Sequence, residues 1–161
     1  MTAISHRHRM VYFPIPKNAT SSVKRLVYEM ETGRPFDRSV QTELGANVHR
    51  LYRSDIAEWE KYFDVYWSVA VVRDPIRRLV SAFANRVFER ADRRGPRLRL
   101  RTARLPEKPD FETFLDRFLD YRETSRSIRA HTDPQSAYVG DFWEKLDLRL
   151  PIERLSELPG M

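Results

Sequence analysis

The chain has 161 residues, 41% of them hydrophobic and 12% aromatic, enough to bury a core and too many for a disordered chain. It contains no cysteine, which excludes disulfides, thiolate metal sites and a cysteine nucleophile. Its net charge of +6 favours an anionic partner, leaving nucleic acid, an acidic glycan and a nucleotide open.

The elements follow in chain order. Met10–Ile15 reads as a short buried strand, after an N-terminus expected to fray around His6 and His8. With His49 and His131 far from that pair in sequence, no metal site is expected. Ser21 or Ser22 opens a helix to about Glu31, with Val23, Leu26, Val27 and Met30 as its apolar stripe and Gly33 as its stop. Glu29 and Glu31 read as surface acids of that helix. Residues 34–53 show turn formers and no period, and Asp55 caps a helix to about Phe63. Asp64–Val72 is the best strand of the chain, apolar on both faces near its end, as a central parallel strand is.

Asp74 and Pro75 then cap and start a helix whose stripe is Ile76, Leu79, Val80, Phe83, Ala84, Val87 and Phe88. A break at 93–109 precedes a helix capped by Asp110, with Phe111, Phe114, Leu115, Phe118 and Leu119 facing inward. His131–Gly140 is loop-like and Leu146–Ile152 a last strand. Strands alternating with helices imply an α/β layer fold with a parallel sheet, in one domain over 1–161. No apolar run reaches the roughly 20 residues of a membrane span and no signal core precedes the first strand, so a soluble, cytoplasmic protein is expected.

Two strand-to-helix turns carry the chemistry. Lys17-Asn18-Ala19-Thr20-Ser21-Ser22 follows the first strand, where free amides at a helix start, three hydroxyls and a mobile ammonium suit an anion. A plain Ser/Thr cap with a solvated lysine fits the same residues. The stretch is not a Walker loop, because Lys17 precedes the hydroxyls and the glycines are missing, so metal-dependent nucleotide hydrolysis is not supported. Arg73 lies at the C-terminal end of the central strand, where open α/β sheets bind ligands, and Ser81 shares a helix face with Arg77. A cap with surface arginines is the alternative there.

These stretches resemble a known family. Pro16-Lys17 through Ser22-Val23-Lys24-Arg25 is similar to the 5′-phosphosulfate loop of sulfotransferases that use 3′-phosphoadenylyl sulfate (PAPS). Val72-Arg73-Asp74-Pro75 through Ser81-Ala82-Phe83 resembles their 3′-phosphate motif. The nearest resemblance is to the carbohydrate enzymes of the second sulfotransferase family, with His131-Thr132-Asp133-Pro134-Gln135 and Leu148–Leu155 as further, imperfect matches. Family members run longer, so part of the acceptor side is expected to be missing or supplied otherwise.

The resemblance implies a three-layer P-loop-like fold with helices flanking a central parallel sheet. It implies PAPS as co-substrate, PAP as product, no metal, and a hydroxyl acceptor, expected to be a carbohydrate. Lys17 then contacts the 5′-phosphate and the bridging oxygen, Asn18, Ala19, Thr20, Ser21 and Ser22 cradle the phosphosulfate, and Arg73 and Ser81 hold the 3′-phosphate. His49 stands where several glycan sulfotransferases place a catalytic histidine, a surface or core histidine being the alternative.

Seven arginines between Arg90 and Arg104 mark residues 90–109 as an insertion or flap. Arg97, Arg99 and Arg101, with His131, are the candidates for an acidic acceptor, against a solvated segment. Few aromatics interleave the run, which disfavours a nucleic-acid platform. The competing functions are a weakly active PAP(S)-binding protein, a basic nucleic-acid-binding protein and a P-loop-type kinase.

Overall fold

The computed structural model describes residues 2–52, 61–88 and 99–160. They form two compact units, one of Met1–Val72 with Gln135–Met161 and one of Arg73–Pro134.

The first unit is built on a four-stranded sheet. Ala3–Ser5 (β1) runs antiparallel to Met10–Phe13 (β2), which is parallel to Trp67–Val72 (β3), itself parallel to Leu148–Pro151 (β4). Alternation along the strands sorts the core into two faces. Met10, Tyr12, Val69, Val71 and Leu150 pack with Val23, Val27 and Leu158, while Val11, Phe13 and Ala70 pack with Ile15, Phe63, Val139 and Leu146. With both faces covered, β2 and the end of β3 are apolar at successive positions, while buried Ser68 at the start of β3 is satisfied by the Asp147 carboxylate. The α/β class and the central parallel position of Val69–Val72 are as expected.

Helix α1 (Thr20–Thr32) ends at Gly33, whose φ of +71° suits a residue without Cβ and brings its N–H to Glu29 O at 2.7 Å. Two short helices, α2 (Arg38–Leu44) and α3 (Val48–Leu51), occupy the stretch read as turns. Their signals are caps rather than a period: Asp37 accepts from Val40 N and Asn47 from His49 N and Arg50 N. Phe36, Val40 and Val48 pack together beneath them. The helix expected from Asp55 falls largely outside the described residues; 61–63 are helical and the strand starts only at Trp67.

The N-terminus is not frayed. β1 pairs with β2, Ala3 opposite Tyr12 and Ser5 opposite Met10. Glu31 is more than a surface acid, since it accepts from Ser5 Oγ at 2.7 Å and Arg7 N at 3.1 Å. Partial burial works against its ionisation, but these two bonds, with His6 and His8 nearby, hold its carboxyl below the usual range. His6 Nδ1 meets Tyr66 Oη and His8 Nε2 meets Met30 O, so both histidines have structural partners.

In the second unit, Asp74 caps α4 (Pro75–Phe83), with Pro75 in its first turn, and Ala84–Phe88 continues it as a π-helical turn. The helix expected from Asp110 is two helices, α5 (Phe111–Asp116) and α6 (Phe118–Thr124), broken at Arg117, and α7 (Arg126–Thr132) follows. Val87, Leu100, Leu105, Phe114, Tyr121 and Ile128 form its core. The long apolar stripe of α4 is only partly used: Ile76 is 72% and Val80 46% exposed, as are Leu115 at 43% and Leu119 at 68% on the later helices. α4 packs on α7 and its Phe83 meets the Phe111 and Phe114 rings of α5, contacts that cover a narrower band than the sequence offers. The arginine-rich segment lies outside the described residues up to 98, Arg97 included, and 99–102 are helical. No helix among the described residues is long and apolar enough to cross a membrane.

Leu150→Ala should lower unfolding free energy by about 2–5 kcal/mol, since Leu150 is fully enclosed. Ile76→Ala should change it by less than about 0.5 kcal/mol. Urea denaturation of the two variants checks the contrast.

Candidate functional site

The turn between β2 and α1 is shaped by two left-handed residues, Lys17 at φ +71° and Ala19 at φ +53°. Neither is glycine, and side chains at such angles are strained unless the surroundings hold them. Asn18, fully buried between them, is what holds the turn. Its Nδ2 donates to Val71 O at 2.8 Å and to Gln135 Oε1 at 2.6 Å, and its N–H reaches back to Ile15 O at 3.2 Å. Asn18 Oδ1 has no hydrogen-bond partner among the described residues. The carboxamide thus ties the turn to the end of β3 and to the Gln135 of the His131–Gln135 motif.

Ala19 is the N-cap of α1, and no side chain caps the helix. Thr20, the first helical residue, turns its hydroxyl back to Ile15 O at 2.8 Å. The plain Ser/Thr cap considered from sequence is therefore not made. The first amides of a thirteen-residue helix are left for an anion, with the positive end of the helix dipole behind them. Ser21 and Ser22 are exposed at this start, and Lys17 is half-buried on the turn.

His49 belongs to this site. Its Nε2 lies 2.8 Å from Ser21 Oγ, and Asn47 caps the short helix that carries it. Partial burial of the ring, then the charges of Lys24 and Arg25, hold its imidazole below the usual range, so it is neutral at neutral pH. Lys24 lies in the loop motif, but the sequence analysis assigns it no role of its own. It flanks the apolar stripe of α1, is fully enclosed, and donates from Nζ to Tyr52 O at 3.0 Å. Burial lowers it to about 8. A lysine one position off a buried stripe was the available signal.

The second unit holds the remaining candidates. Arg73, half-buried, directly follows the last residue of β3, and Ser81, half-buried, lies on α4. Asp74 accepts from Arg77 N at 2.8 Å, so the Asp-Pro cap is present there. Buried Arg78, within the second motif but given no role of its own there, donates from Nη1 to Asp133 O at 2.7 Å, while Arg122 pairs with the Asp133 carboxylate. His131 is engaged at both ring nitrogens, Nδ1 with Ser127 O at 2.7 Å and Nε2 with the Arg86 guanidinium. Since guanidinium only donates, His131 Nε2 accepts and the ring is neutral with its proton on Nδ1. Arg99 and Arg101 are exposed, and Arg101 is paired with Glu107. Among the described residues no group of three or more histidine or acidic side chains is placed to hold a metal ion.

The model of the family described as Sulfotransferase family matches residues 1–156. No curated protein and no solved structure matches the chain significantly.

Asn18→Asp should destabilise the protein by about 2–4 kcal/mol, because a carboxylate would face two carbonyl-type oxygens in a buried site. Gln135→Ala should cost about 1 kcal/mol. Chemical denaturation distinguishes the two, and equal small effects would contradict the role given to the brace.

Proposed function

Because the chain belongs to the sulfotransferase family, we propose that it transfers the sulfuryl group of PAPS to a hydroxyl acceptor, a carbohydrate by class. The observation that carries the proposal is the start of α1, with amides that no side chain caps, a strained turn that presents Lys17, and His49 alongside. The same reading takes the sheet and its helices as a three-layer P-loop-like arrangement.

In sulfuryl transfer, as in phosphoryl transfer, the transition state is loose and in line, so catalysis is mostly positioning and charge stabilisation. The acceptor oxygen bonds to sulfur as the bond from sulfur to the bridging oxygen breaks. Negative charge gathers on the 5′-phosphate that leaves. Lys17 and the α1 amides meet that charge, with Ser21 and Ser22 as hydroxyl donors. Asn18 supports the cradle from beneath, since its side chain is enclosed and its N–H is bonded to Ile15 O. The acceptor proton passes to His49, which is neutral in the free protein and so able to take it. Arg73 and Ser81 are assigned the 3′-phosphate from the resemblance of Val72–Phe83 to that motif, as a binding handle remote from the reaction. Arg97, Arg99 and Arg101 are the candidates for an acidic acceptor. His131, neutral and held at both nitrogens, supports the fold of its own unit and is a weaker candidate for acceptor contact.

Calorimetric titration with PAP, ATP and an oligonucleotide tests the donor. PAP should bind without added metal and more tightly than ATP, whereas steeply salt-dependent oligonucleotide binding without PAP binding would support a nucleic-acid protein instead. Lys17→Ala should reduce transfer from labelled PAPS by about 100-fold or more, and full activity in that variant would refute the mechanism. His49→Asn should lower kcat by about 100-fold. The kcat/KM profile of the unmodified enzyme should lose activity as pH falls through the His49 pKa, with its acid limb below the ordinary imidazole value.

A further inference from the structure

Lys24 is a fully buried cation that the mechanism above does not use. A buried ammonium is costly, and a methionine of similar length would fill the same space without that cost. Its reach explains its presence. From the second turn of α1, its Nζ donates at 3.0 Å to Tyr52 O, the carbonyl of the residue that ends α3. Helix α3 has four residues and cannot hold itself. Asn47 caps its start, buried Val48 anchors its middle against Phe36 and Val40, and Lys24 grips its end. His49 sits inside those three restraints, with Nε2 on Ser21 Oγ.

We propose that Lys24 is a positioning residue for His49: by holding the terminal carbonyl of α3 against α1, it fixes the imidazole at Ser21, beside the start of α1. The proposal rests on the reading of His49 as the base.

The charge of Lys24 acts in the same direction. The groups facing His49 from α1 are Lys24 and Arg25, both cationic, and Arg50 neighbours it on α3. On α2, Arg38 and Glu43 are exposed, and Glu43 is engaged by Arg34. Cations facing the ring disfavour the imidazolium, which keeps His49 neutral until it receives a proton. Below about pH 8 Lys24 is charged and this influence is complete. Above that it fades, but His49 is already neutral there. The effect of Lys24 therefore falls on the acid limb of activity and leaves the alkaline side alone.

The test uses Lys24→Met, Lys24→Gln and Lys24→Arg in the full chain, each checked by thermal unfolding. In the free protein, the His49 resonance (assigned by its loss in His49→Asn) should titrate about half a unit to one unit higher in Lys24→Met and Lys24→Gln. Lys24→Arg should stay near the unmodified value. Gln retains a donor without charge, so it keeps the titration readout if Met disturbs the fold. Calorimetry should show PAP affinity within about threefold of the unmodified protein, while kcat falls about tenfold in Lys24→Met, with its acid limb moved up alongside the resonance. A His49 titration unchanged in both uncharged variants overturns the proposal, as does a loss of PAP affinity that accounts for the whole activity change. If the unmodified protein binds no PAP, the donor reading fails, and the titration still judges the link between Lys24 and His49.

Discussion

The Asn18 carboxamide donates two hydrogen bonds into the interior, to the end of β3 and to Gln135, and the candidate site depends on that anchorage. That brace helps to offset the strain of left-handed backbone at both Lys17 and Ala19. The turn in turn decides where α1 begins. It leaves Ala19 at the cap position and sends the Thr20 hydroxyl back into the loop, which is why the first amides of α1 face outward without a side-chain partner. A buried polar contact thus sets up an exposed electrostatic feature, and the sheet beneath supplies the rigidity that makes it repeatable.

Charge around that feature is one-sided. Lys17 lies on the turn, while Lys24 and Arg25 follow on α1 and bear on His49. Such a grouping of cations favours an anion. It also keeps the imidazole neutral, which a base requires. Family membership and this electrostatic pattern are both consistent with the anionic donor proposed above.

What was legible in the sequence was whatever local periodicity or capping encodes. Val69–Val72 is apolar on both faces because parallel central strands are, and Asp74-Pro75 and Asp110 start helices as their chemistry demands. The short elements were not legible. β1 has three residues and is stabilised by pairing with β2, while α2 and α3 are held by caps and a small shared cluster rather than by a stripe. The stripe on α4 misled in the other direction. Ile76 and Val80 satisfy the helical period and remain exposed, because period describes what a helix offers and packing decides what is taken.

By itself, the sequence determined the α/β class, the two strand-to-helix turns and the family resemblance, since each depends on residue types at fixed short spacings. Only the tertiary structure decided what the individual residues do within them. It turned Asn18 inward as a brace, brought Gln135 to it across more than a hundred positions, set His49 against Ser21, and buried Lys24 under the end of α3. Those contacts join residues far apart in the chain, and their energies come from burial and hydrogen-bond geometry that exist only once the sheet has brought the segments together.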